Sequence, residues 1–143
     1  MKNVALALLL LVSVTACNNQ SGKKAENKEV QTVAVTPTDA SVVNVYYFHG
    51  KQRCKTCIAV GDVAKETVEK AYADNNKVVF TEINTSEDTH KALVDKYEVT
   101  WNALIIAKGD NSVEITEQAF ATALNNPQSL ENLIKDEINK RLQ

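Results

Sequence analysis

The apolar positions fall into three regimes along the chain. Val4 to Val14 is an apolar run broken only by Ser13. From Asn18 to about Ser41 the chain is polar, with Lys23, Lys24, Glu26, Lys28 and Glu29 among Asn, Gln, Ser and Thr. Val30, Val33 and Val35 interrupt that stretch and Pro37 punctuates it. It reads as a flexible tether, with a short edge strand around Val30–Val35 as the alternative. From Val42 the pattern changes again. Val42 to Phe48 is β-branched and aromatic and apolar at both alternating sets of positions, which predicts a central strand buried on both faces. Val60, Ala64, Val68, Ala71 and Tyr72 then recur at helical spacing, and Asp74-Asn75-Asn76 stops that helix. Lys77 to Ile83 predicts a second strand. Thr85 and Asp88 form a capping-box pattern for a helix that runs to about Lys96 and buries Ala92, Leu93 and Tyr97. Ala103–Ala107 predicts a third strand, Lys108–Asn111 a turn, and Ser112–Thr116 a fourth strand. Gln118–Leu124 fits no single template. The last helix begins near Pro127 and Ser129, with Leu130, Leu133, Ile134, Ile138 and Leu142 as its apolar stripe. The order βαβαββα implies an α/β domain, a mixed sheet of about four strands flanked by helices.

Composition narrows the function classes. The chain has 143 residues, 44% hydrophobic, with four Gly and two Pro, which excludes collagen-like and low-complexity architectures. The formal charge of −2 gives no basic field of the kind nucleic-acid binding needs. Three cysteines make no even disulfide framework.

The N-terminal run is too short to span a bilayer comfortably and suits a signal peptide, and the Asn18–Lys24 stretch offers no apolar continuation. It ends Val14-Thr15-Ala16-Cys17. Small residues immediately before a cysteine resemble the lipobox of bacterial lipoproteins, although Leu is commoner than Val at the Val14 position. That resemblance implies cleavage after Ala16, acylation of Cys17, and a domain held at a membrane in the extracytoplasmic cell envelope. An ordinary secretory signal cleaved nearby is the alternative. Each buried CH₂ of lipid adds roughly 0.8 kcal/mol, and two chains or more make the anchoring stable. Residues 1–16 are therefore expected to be the signal, 17–41 the lipidated cysteine and tether, and 42–143 the folded domain.

With Cys17 set aside, Cys54 and Cys57 remain, at the junction of the first strand and first helix. Residues i and i+3 of a helical first turn point the same way, so the two sulfurs can meet. Unpaired N–H groups and the positive dipole end at the helix start favour thiolate at Cys54, and Lys51, Arg53 and Lys55 add charge of the same sign. Cys57, one turn deeper, suits a less exposed role. A strand, then CxxC at a helix start, within βαβαββα, resembles the thioredoxin superfamily, over roughly Val42 to Gln143. The resemblance implies a thiol–disulfide oxidoreductase in which Cys54 attacks and Cys57 resolves. Partners would be protein or small-molecule disulfides and an unidentified electron donor or acceptor, and no cofactor is expected.

The departures from that pattern are specific. The superfamily usually has a cis-proline before its third strand, facing the CxxC, and here the position is Asn102 or Ala103. A non-proline cis bond costs roughly 2.5–4 kcal/mol, so a trans loop is expected. Arg53 stands where an aromatic often precedes the first cysteine. The first strand carries no acidic residue, so the buried carboxylate of thioredoxin itself is expected to be absent. His49 could tune the pair or be a simple turn residue. Trp101 could form a recognition surface, with packing the commoner role for such a side chain. Gly61 is read as structural. Two other functions compete: a copper-like metal carrier using Cys54 and Cys57, with His49 as an optional third ligand because a soft low-coordinate site needs few donors, and a non-catalytic subunit that keeps only the fold.

Overall fold

The central strand is apolar on both faces because helices cover both. The computed structural model describes residues 39–143. Cys17, the apolar run and the tether up to residue 38 lie outside them. Strand β1 (Val43–His49) pairs in parallel with β2 (Val78–Asn84) and antiparallel with β3 (Ala103–Lys108), which pairs antiparallel with β4 (Asn111–Glu114). The sheet order is β2-β1-β3-β4. Helices α1 (Lys55–Ala71), α2 (Lys91–Lys96), α3 (Thr116–Thr122) and α4 (Pro127–Leu142) complete the domain. This mixed four-stranded sheet, with the CxxC where β1 enters α1, is a thioredoxin-like fold, as the sequence pattern predicts.

Alternation along β1 divides the core in two. Val43, Val45 and Tyr47 pack with Val60, Ala64 and Val68 of α1, Ala119 of α3 and Leu130, Ile134 and Ile138 of α4. Tyr46 and Phe48 face the other way, with Ile83, Leu93, Ala103, Ile105 and Ala107. Burying such a Val, Leu, Ile or Phe side chain stabilises the fold by about 1.5–3 kcal/mol. The hydroxyls of Tyr46 and Tyr97 are buried without a hydrogen-bond partner. Burial pushes the Tyr46 phenol up to about 12, with Tyr97 adding to it.

Four expectations change at this level. Thr85 caps no helix: its N–H and hydroxyl both donate to the His49 carbonyl, at 2.9 and 3.3 Å. A short 3₁₀ turn, Asp88–His90, intervenes before α2, and neither start has a side-chain cap. Of the three residues expected to be buried there, Leu93 is buried, Tyr97 half-buried and Ala92 exposed. Gln118–Leu124, which fits no single template, lies mostly within helix α3, and that helix begins at Thr116, where the fourth strand was expected to end; β4 stops at Glu114. The Thr116 hydroxyl instead accepts from the Leu104 N–H at 2.9 Å, taking the place of a strand carbonyl.

The topology puts one set of loops together. Parallel pairing ends at His49↔Asn84, and antiparallel pairing ends at Phe48↔Ala103. The CxxC loop, the loop after β2 and the loop 97–102 before β3 therefore share one end of the sheet. Among the described residues, no helix is long and apolar enough to cross a membrane.

Candidate active site

Cys54 is the N-cap of α1. Its backbone is extended (φ −78°, ψ 167°), its carbonyl accepts the first helical bond from Ile58 at 3.0 Å, and its Sγ accepts from the Cys57 N–H at 3.1 Å. A sulfur thus fills the position that Ser, Asn or Asp usually takes, although it is the weaker acceptor. The same N–H that caps the helix stabilises negative charge on Cys54 when the pair is reduced. Cys54 and Cys57 are bonded to each other, with Cα atoms 5.0 Å apart. Cys54 is exposed and Cys57 is buried. An attacking sulfur from another molecule therefore meets Cys54 first.

Beneath Cys57 lies a polar cluster. The Tyr47 hydroxyl donates to the Cys57 carbonyl at 2.6 Å, and Arg53 Nη2 approaches the same carbonyl at 3.5 Å. Burial pushes the Tyr47 phenol up, so it remains a donor at neutral pH. Arg53 lies over the Tyr47 ring, 5.6 Å from its centroid, and its Nη1 meets Glu82 Oε1 at 2.7 Å. The same carboxylate oxygen faces His49 Nε2 at 3.3 Å, while His49 Nδ1 is 2.8 Å from the Gly50 carbonyl oxygen. Gly61 makes this approach feasible: a Cβ there would stand 2.7 Å from Arg53 Nη2 and 2.9 Å from Tyr47 Cε1. The structural reading of Gly61 thus acquires a cause, the close stacking of Arg53 and Tyr47 on α1.

The residues singled out in the sequence divide clearly. Cys54, Cys57 and His49 share the motif end of the sheet, and Lys55 is exposed at the first position of α1. Asn102, half-buried, directly precedes the Phe48↔Ala103 pair and so belongs to the same end. Trp101 beside it is 76% exposed, which removes the packing role expected for it. His49 faces Glu82, and no group of three His, Cys, Asp or Glu able to hold a metal forms among the described residues. Tyr47 and Glu82 are the members that sequence reasoning missed. Strand β1 lacks an acid, as read, but its parallel neighbour β2 supplies one opposite Tyr47. A lone carboxylate within the apolar Val78–Ile83 run was the available signal.

No family model matches the chain, and no curated protein matches it. Solved structures do. A malarial protein aligns at 19% identity and a TM-score of 0.47 over 68% of this chain and 98% of that one. The zinc-bound form of human ERp44 aligns at 15% identity and a TM-score of 0.49, covering 68% of this chain and 27% of ERp44. Chloroplastic thioredoxin z aligns at 11% identity and a TM-score of 0.41, over 67% of this chain and 80% of that one.

Proposed function

We propose that the protein is a thiol–disulfide oxidoreductase acting outside the cytoplasm, held at a membrane by lipid on Cys17. The observation that carries the catalytic part is the asymmetry of the pair: an exposed Cys54 at a helix N-cap, bonded to a buried Cys57. The apolar run ending at Ala16-Cys17 supports the anchoring.

The chemistry follows from that asymmetry. A thiolate of an incoming dithiol attacks Cys54 Sγ; a new S–S bond forms and the Cys54–Cys57 bond breaks, leaving the electron pair on Cys57. The second thiol of the donor loses its proton to solvent and attacks its own sulfur in the mixed disulfide, releasing Cys54 as thiolate. The donor has lost two electrons and the protein pair has gained them. The reverse sequence delivers the pair to a substrate disulfide: Cys54 attacks, one substrate thiolate leaves, and Cys57 then closes on Cys54 and frees the other. Substrates would be protein or small-molecule disulfides.

The test is catalysis of insulin disulfide reduction by dithiothreitol, using the full chain. Wild type should accelerate the reaction, Cys54→Ser should be inactive, and Cys57→Ser should accumulate a mixed disulfide on Cys54. A wild-type rate equal to the uncatalysed one would overturn the assignment. For the anchor, an alkyne-tagged fatty acid should label the wild-type chain in cells, and Cys17→Ser should escape labelling. Equal labelling of the two would refute lipid attachment there.

A further inference from the structure

We infer that Arg53 and Glu82 act as opposed positioning residues that set how readily the Cys54–Cys57 bond accepts electrons, an inference that rests on the redox reading above. Reduction leaves a negative sulfur in place of a neutral bond, so any nearby fixed charge biases the equilibrium. The guanidinium of Arg53 is delivered to the peptide of the buried cysteine. It lies against the Cys57 carbonyl, stacked on Tyr47 and packed on Gly61. Its side chain is three-quarters covered and its Nε is buried without a partner, so water screens the charge incompletely.

That charge is not free, however. Glu82 grips Nη1 at 2.7 Å from the strand neighbouring β1, and its carboxylate opposes the positive field that Arg53 brings to the cysteine turn. His49 shares the same oxygen. The net bias is therefore a difference between two fixed side chains on different elements. The two should have opposite signs. Removing the Arg53 charge should favour the disulfide. Removing the Glu82 charge while keeping its shape should favour the dithiol, because the stacking on Tyr47 and the contact with Gly61 still hold Arg53 in place. A purely architectural ion pair behaves differently, since breaking it from either side loosens the same contact.

The experiment is the equilibrium of the full chain with glutathione at fixed neutral pH, for wild type, Arg53→Met, Arg53→Lys and Glu82→Gln. The expected result is a shift toward disulfide of roughly threefold or more in Arg53→Met and a shift toward dithiol of similar size in Glu82→Gln. Arg53→Lys keeps the charge and should recover most of the wild-type value. It also guards against a misfolded Met variant. Shifts of the same sign in Arg53→Met and Glu82→Gln, or a Lys variant indistinguishable from Met, would overturn the assignment while leaving the redox reading intact. A wild-type pair that never equilibrates with glutathione would overturn both.

Discussion

The N-terminal turns of α1 and α4 are closed by the same kind of bond. In each, the N-cap side chain accepts from the backbone N–H three residues on: Cys54 Sγ from Cys57 at 3.1 Å, and Asn126 Oδ1 from Ser129 at 3.2 Å. The α4 cap is the stronger by composition, with Asn at the cap and Pro127 at the first helical position, where its missing N–H costs nothing. The α1 cap is weaker, a sulfur followed by Lys55. Support comes instead from below, where Tyr47 and Arg53 hold the Cys57 carbonyl. One turn is optimised locally for stability. The other gives up local stability to place an exposed cysteine at the surface and recovers it from tertiary contacts.

The comparison can be broken at several points. The largest effect should come from Cys54→Ser, which keeps a hydroxyl cap but removes the reacting atom. Exchange should fall to the uncatalysed rate, and stability should fall by about 2 kcal/mol from the oxidised wild type, the value for so short a closed loop. Urea denaturation checks this: the variant should match the reduced wild type, and a variant as stable as the oxidised protein would break the account. Gly61→Ala should come next. Its methyl would press on Arg53 and Tyr47 at 2.7 and 2.9 Å and cost about 1–3 kcal/mol by the same measurement. Asn126→Ala should cost about 1 kcal/mol while leaving the glutathione equilibrium at its wild-type value. An altered equilibrium there would mean that the two helix starts are coupled. Trp101→Ala should change stability least, within about 0.5 kcal/mol. Stopped-flow rates should show slower exchange with a protein disulfide and an unchanged rate with glutathione disulfide, because the exposed indole offers surface only to a large partner.

The strands, α1 and α4 were legible in the chain because burial imposes a period that side chains must obey. Val60, Ala64 and Val68 could only be a helix face, and Val43, Val45 and Tyr47 only one face of a strand. Cys54 and Cys57 were legible for the same reason, since position within the first turn fixes where each sulfur goes. Local rules failed where a polar side chain found a distant partner. Thr85 has the chemistry of a cap, yet its bonds go to His49 at the end of β1. Thr116 reads as strand but serves β3 through its hydroxyl. Glu82 sits 25 or more residues from Tyr47, Cys57 and Arg53, and only the parallel register of β1 and β2 brings it to Arg53. Trp101 gave no sign in sequence of which way it faced, because loop side chains follow no period.

The most direct test is the order in which the two sulfurs react. The reduced full chain, treated with a limiting amount of iodoacetamide at neutral pH and mapped by mass spectrometry, should carry the label on Cys54 well before Cys57. Labelling of Cys57 first, or of both at equal rates, would contradict the asymmetry on which the catalytic assignment stands.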